Sequence, residues 1–156
     1  PEKMLALGEE GLIPLISSIG LYRTKAKNVI AAARMLVNQH GGEVPLNRKD
    51  LQALPGVGRK TASVVLNELG IEPAIAVDTH VYRVSHRLGL ANGPTPDKVE
   101  DQLHKVVPLD WLPKAHHWLI LHGRYVCTAR KPKCPECGIR EHCREYRVSN
   151  LKLSSK

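Results

Sequence analysis

The chain has 156 residues, with 23 Lys+Arg against 15 Asp+Glu for a formal net charge of +8, and it contains four Cys, two Trp, four Tyr and no Phe. No apolar run approaches the ~20 residues that cross a bilayer, and the charged residues, 24% of the chain, interleave with aliphatics. A helical membrane protein and a disordered basic tail are both excluded, and the excess positive charge points to an electrostatic partner, most commonly nucleic acid.

Apolar residues recur at helical spacing along almost the whole chain and no alternation is long enough for a strand, which predicts an all-α fold. Residues 9–19 carry Leu12, Leu15, Ile16 and Ile19 on a helix that tolerates Pro14 only near its first turn. After the loop at 20–23, Thr24 is expected to cap a helix with Val29, Ile30, Ala33, Leu36 and Val37 inward, ending at Gly41 and Gly42. Asn47, with Asp50 three residues on, caps a short helix to Leu54; the turn Pro55-Gly56-Val57-Gly58 then leads into a helix over 59–69. Residues 71–77 contain Pro73 and lack helical periodicity, so they read as an extended crossing between two lobes. Asp78 opens a helix with Val81, Val84 and Leu88 on one side, and Thr95-Pro96 opens another with Val99, Leu103 and Val106. Residues 111–125 close the series, with Trp118, Leu119 and Leu121 expected inward. The expected division is a helical lobe over 1–75, a second over 76–147 and a flexible tail over 148–156.

Chemistry concentrates in three places. In Leu54-Pro55-Gly56-Val57-Gly58-Arg59-Lys60-Thr61, two glycines at a helix start leave backbone N–H groups unshielded, an arrangement that grips phosphate without reading bases. Lys60 falls in the first turn of that helix beside Arg59, where the helix terminus and the neighbouring cation both disfavour its protonated form; it reads equally as a nucleophilic amine or an ordinary phosphate-binding lysine. Asp78, after the crossing segment, reads as an N-cap whose carboxylate is also able to stabilise positive charge or handle a proton.

The cysteines, Cys127, Cys134, Cys137 and Cys143, fall within seventeen residues, spaced for a structural zinc or iron-sulfur site, and spacing alone does not choose between them. Between the first two lie Arg130, Lys131 and Lys133, a candidate finger for phosphates. Leu21, a large apolar residue in a loop, is either a core residue or a wedge that enters a duplex beside a displaced base.

The hairpin Leu54 to Ala62, the run Ala76-Val77-Asp78-Thr79-His80-Val81 and the run from His116 to Tyr125 ahead of Cys127 together resemble the helix-hairpin-helix DNA glycosylase/AP lyase family, from residue 1 to Tyr146. The resemblance implies a two-lobed all-α fold, Lys60 as the Schiff-base amine, Asp78 as the catalytic carboxylate, DNA contacts at Leu54, Gly56, Val57, Gly58, Arg59 and the cysteine loop, Leu21 as the wedge, and a 4Fe-4S cluster on the four cysteines. It further implies a base-excision-repair enzyme acting as a monomer on double-stranded DNA with an oxidised pyrimidine or an abasic site. Its compartment would be the bacterial cytoplasm at the nucleoid, or a nucleus or mitochondrion in a eukaryote. The family carries further residues ahead of the point matching Pro1, so the fold is expected to be N-terminally truncated, with Leu12, Leu15 and Ile30 short of packing partners and base removal weaker than abasic-site cleavage. The competing readings are a non-catalytic DNA-binding module and a zinc-stabilised interaction domain.

Overall fold

Glycine and proline shape the first helix. α1 (Glu2–Ile16) is broken at Gly8, whose φ of 68° and ψ of 176° are not helical, and it holds Pro14 in its interior instead of its first turn. The computed structural model describes residues 1–154, and among them all regular structure is helical, with no strand.

α1 packs on α2 (Tyr22–His40), where Leu12, Ala26 and Ile30 are buried together with Met4, Leu5, Ile13 and Ile16 around them. Leu12 and Ile30, expected to lack partners, therefore cover each other, while Leu15 does lie 71% exposed. α2 begins before Thr24: Leu21 occupies its N-cap, and its far end closes on Gly41 in the left-handed conformation, as the glycine pair implies. The buried stripe is Ala26, Ile30 and Ala33; Val29 turns outward.

α3 (Arg48–Ala53) is capped as expected, with Asn47 Oδ1 accepting from Asp50 N at 2.9 Å and Asn47 Nδ2 donating to Asp50 Oδ2 at 2.8 Å. Leu51 and Leu54 bury on either side of its end. The turn at 55–58 then delivers the chain into α4 (Arg59–Glu68).

By contact the chain separates into two compact units, Pro1–Ala62 and a second starting at Ser63. Ala74, Ile75, Ala76 and Val77 are all buried, and Ile75 and Val77 share one apolar cluster with α5 (Thr79–Leu88), α6 (Pro96–Val106) and α7 (Leu112–Tyr125). A stretch that is part of a core belongs to the unit that owns the core. Each large aliphatic side chain buried there contributes about 1.5–3 kcal/mol relative to exposure.

Thr95 and Pro96 start α6 as the sequence suggests, with Thr95 Oγ1 accepting from Lys98 N at 3.3 Å. Ser63 Oγ, on α4, donates to Glu100 Oε1 of α6 at 2.7 Å with both residues buried, which keeps a carboxylate in the interior hydrogen-bonded. α5 and α7 approach closely because α7 has a glycine where they meet: a Cβ on Gly123 would stand 3.0 Å from His80 Cβ and 3.0 Å from Val84 Cγ2. The inward face of α7 is Leu112, Ala115, His116, Leu119 and Gly123. Trp118 and Leu121, expected inward, lie on its other side and are exposed. Finally, α8 (Arg144–Ser154) extends through 148–154 of the expected tail; residues 155–156 lie outside the described residues.

Candidate active site and nucleic-acid interface

The hairpin is built from its core outward. Leu54 is buried and its carbonyl accepts from Val57 N at 3.0 Å, closing the turn, so its side chain anchors the motif and is not itself presented for contact. Gly56 has a φ of 80° and packs where a Cβ would meet Asn28 Cβ at 2.9 Å; no side chain fits there. Gly58 is different. Its φ is not positive and nothing lies within 4 Å of the place a Cβ would take, so the chain's own packing does not require glycine.

What Gly58 leaves open is the start of α4. Ala62 N donates to Gly58 O at 3.0 Å, which puts the amides of Arg59, Lys60 and Thr61 ahead of the first intrahelical donor. A glycine before the helix supplies no side-chain cap, and those N–H groups sit at the positive end of the helix dipole. Lys60 projects from this turn with its side chain exposed, and Arg59 beside it is half-buried. The chain's own atoms leave Lys60 exposed.

Asp78 stands in the second unit as the N-cap of α5, with Oδ1 accepting from both His80 N and Val81 N at 2.8 Å. Among the described residues its Oδ2 takes no hydrogen bond, and the residue is only partly buried. One oxygen holds the start of the helix. Among the described residues Leu21 is the non-glycine residue with positive φ, at 58°, and its side chain is 78% exposed. A leucine held in the left-handed region costs roughly 1–2 kcal/mol, and here no burial offsets it.

The four cysteines come together around one cavity that Leu88, His122, Lys133 and Tyr146 also line, and none of them is disulfide-bonded. Burial pushes the Cys134 thiol up, and the neighbouring Cys127, Cys143 and Cys137 push it further, opposed by the charge of Arg87. Four such thiolates are stable together only around a cationic centre. The four sulfurs line that one cavity, as a structural zinc or iron-sulfur site requires. Arg130, Lys131 and Lys133 are exposed on the intervening loop.

Sequence reasoning passed over the residues that hold this region to α5. Arg83 Nε donates to Cys127 O at 3.2 Å and its Nη2 to Gly123 O at 2.7 Å. Arg87 Nη1 donates to Thr128 O at 2.8 Å and Nη2 to Ala129 O at 3.1 Å. Burial works against the Arg87 charge, but its hydrogen bond to Cys127 and the charges of Cys127, Glu145 and Cys134 outweigh burial and raise its pKa. Two arginines four apart on one amphipathic helix were the available signal. His122, whose pKa is lowered by burial, has Nε2 3.9 Å from Cys137 Sγ.

Comparison with known proteins fits this geometry. Residues 1–109 match the family described as HhH-GPD superfamily base excision DNA repair protein. The chain belongs to the HhH-GPD superfamily. Residues 127–143 match a second family, the iron-sulfur binding domain of endonuclease III. The chain is 57% identical over 146 residues to endonuclease III of Rickettsia conorii, covering 94% of this chain and 70% of that protein, and 54% identical over 147 residues to endonuclease III of Escherichia coli, covering 94% and 69%. Among solved structures it superposes with a TM-score of 0.89 and 45% identity on a trapped endonuclease III–DNA covalent intermediate, covering 96% of this chain and 71% of that one.

Family membership settles the class that the residues left open. This HhH-GPD protein is a bifunctional DNA glycosylase and abasic-site lyase with a 4Fe-4S cofactor and DNA as partner, and the zinc-domain and pure binding-module readings fall away. No described helix is long and apolar enough to cross a membrane. Of the expected site residues, the structure gathers the four cysteines around one cavity and the hairpin residues into one turn; Lys60 and Asp78 belong to different units.

Proposed function

We propose that the chain removes oxidised pyrimidines from double-stranded DNA, as a monomer in a bacterial cytoplasm, through a Schiff base on Lys60. The observation that carries this reading is Lys60 itself, an exposed amine in the first turn of α4 directly behind an uncapped glycine turn. The amides after Gly58 and the Arg59 side chain would hold the phosphates flanking the lesion, with Val57 packed in the turn and Leu54 and Gly56 fixing its shape. Bound DNA would supply the exclusion of water that Lys60 lacks in the free chain.

In the reading, the unprotonated Nζ of Lys60 attacks C1′ of the sugar, the glycosidic C–N bond breaks and the base departs with a proton. Ring opening gives an imine between Nζ and C1′, and loss of a C2′ proton then expels the 3′ phosphate by β-elimination. Asp78 Oδ2 offsets the positive charge that develops on the sugar and takes or returns protons, while Oδ1 keeps the carboxylate oriented. Leu21, strained and exposed, would fill the space left when the damaged base leaves the stack. The covalent endonuclease III–DNA intermediate among the solved relatives supports extending this chemistry here.

Cys127, Cys134, Cys137 and Cys143 would ligate the 4Fe-4S cluster, which when bound supplies the fixed cationic core of a segment poor in apolar packing. Arg130, Lys131 and Lys133 would grip phosphates from that segment. The test is borohydride trapping on two duplexes, one with an oxidised pyrimidine and one with an abasic site. A covalent adduct on both that disappears in Lys60→Gln is expected; an adduct that persists in that variant overturns the assignment.

A further inference from the structure

The loop from Cys127 to Cys134 presents three exposed cations, yet no side chain between Cys127 and Cys143 is fully buried. What gives the loop a fixed shape comes from α5. The two Nη atoms of Arg87 bind consecutive carbonyls, Thr128 O at 2.8 Å and Ala129 O at 3.1 Å, immediately before Arg130. Nη1 also lies 3.5 Å from Cys127 Sγ, and Nε is 3.6 Å from Glu145 Oε1. The Arg87 side chain is only 18% exposed. Beyond that clamp the loop closes on itself through Thr128 Oγ1 to Lys131 O at 2.6 Å and Lys133 N to Val126 O at 3.0 Å.

A planar guanidinium that holds two successive carbonyls fixes the orientation of the peptide between them, and with it the direction in which the next residues leave. We infer that Arg87 is a positioning residue for DNA binding: it sets the Thr128–Ala129 backbone so that Arg130, Lys131 and Lys133 meet the phosphates already ordered. It touches neither substrate nor reacting atoms. A loop ordered beforehand binds more tightly than one that must be ordered on contact, and lysine replaces the fork only in part, because the donors of its ammonium diverge from one nitrogen on a flexible stem instead of lying in one rigid plane. The inference rests on the reading that this loop grips DNA.

The experiment uses the full chain with its cluster, and compares Arg87→Gln, Arg87→Lys and the triple variant Arg130→Ala/Lys131→Ala/Lys133→Ala. Each is measured for affinity to an abasic duplex across salt concentrations, cleavage rate at saturating duplex, trypsin nicking after Arg130 and Lys133, and visible absorbance per polypeptide. The triple variant is expected to lower the slope of log affinity against log salt by roughly 2 to 3. Arg87→Gln is expected to lose about tenfold in affinity, lower the slope in the same direction and speed nicking, with the saturated rate and absorbance unchanged; Arg87→Lys falls between. Native affinity and slope in Arg87→Gln, while the triple variant loses both, overturn the positioning role. A triple variant with native slope instead overturns the loop reading beneath it. Affinity that falls only in proportion to absorbance in both Arg87 variants also overturns the inference, assigning Arg87 to cofactor retention.

Discussion

The hairpin at 54–60 and the cysteine loop at 127–143 offer the same thing to a nucleic acid, a fixed positive surface, but they are held by opposite means. The hairpin rests on packing: Leu51 and Leu54 are buried, and Gly56 lies against Asn28. The loop has no fully buried side chain and depends on arginine bonds to its carbonyls and on its cofactor. A surface held by packing survives as long as its unit is folded, whereas one held by polar bonds and a cluster can be lost while the fold remains.

The strongest way to sharpen this comparison is at the hairpin's reactive end. Lys60→Gln should lower strand scission at abasic sites by about a thousandfold or more, with stability within about 0.5 kcal/mol of the parent because the side chain is exposed. Asp78→Asn and Asp78→Ala should each lose on the order of a hundredfold in rate. They should part company in the melting curve: asparagine still caps α5, whereas alanine gives up about 1 kcal/mol more.

Removing the iron tests the loop directly. Amides of 127–143 should lose hydrogen-exchange protection and DNA affinity should drop about tenfold or more, while 54–62 keeps its protection. Equal loss of protection in the hairpin would erase the contrast. Within the hairpin, Gly56→Ala should cost about 1–3 kcal/mol of stability, from the strained φ and the contact with Asn28. Gly58→Ala should cost less, about 0.5–1 kcal/mol because alanine caps α4 more poorly than glycine, and should bind DNA several-fold more weakly. In stability the sign reverses at Leu21, where Leu21→Gly should gain about 1 kcal/mol by relieving the left-handed backbone and still slow base removal.

Much of this was legible because the signals were local. Asn47 with Asp50, Asp78, and Thr95 with Pro96 each mark a helix start through bonds to amides two or three residues away, and all three hold. The glycine turn, the lysine after it and the cysteine spacing are local as well. The errors arose where a distant partner decides. Trp118 and Leu121 are as apolar as Leu119, and only the approach of α5 at Gly123 selects which face of α7 is covered. The 71–77 segment reads as an extended crossing, and the burial of Ala74 to Val77 within it comes from packing that no local pattern announces. Arg83 and Arg87 looked like surface charge until the carbonyls they hold came into view. Leu21 showed no local sign that its backbone would be left-handed.

Gly58 carries a warning for anyone redesigning this chain. Scored against its own backbone, the position invites aspartate or serine, since either would cap α4 and raise the melting temperature. Such a design would pass every test of foldability while setting an acidic or hydroxyl group where the incoming polymer has its own anion. Tolerance in the isolated chain and tolerance in service are separate properties at this residue, and only an assay with duplex present can tell them apart.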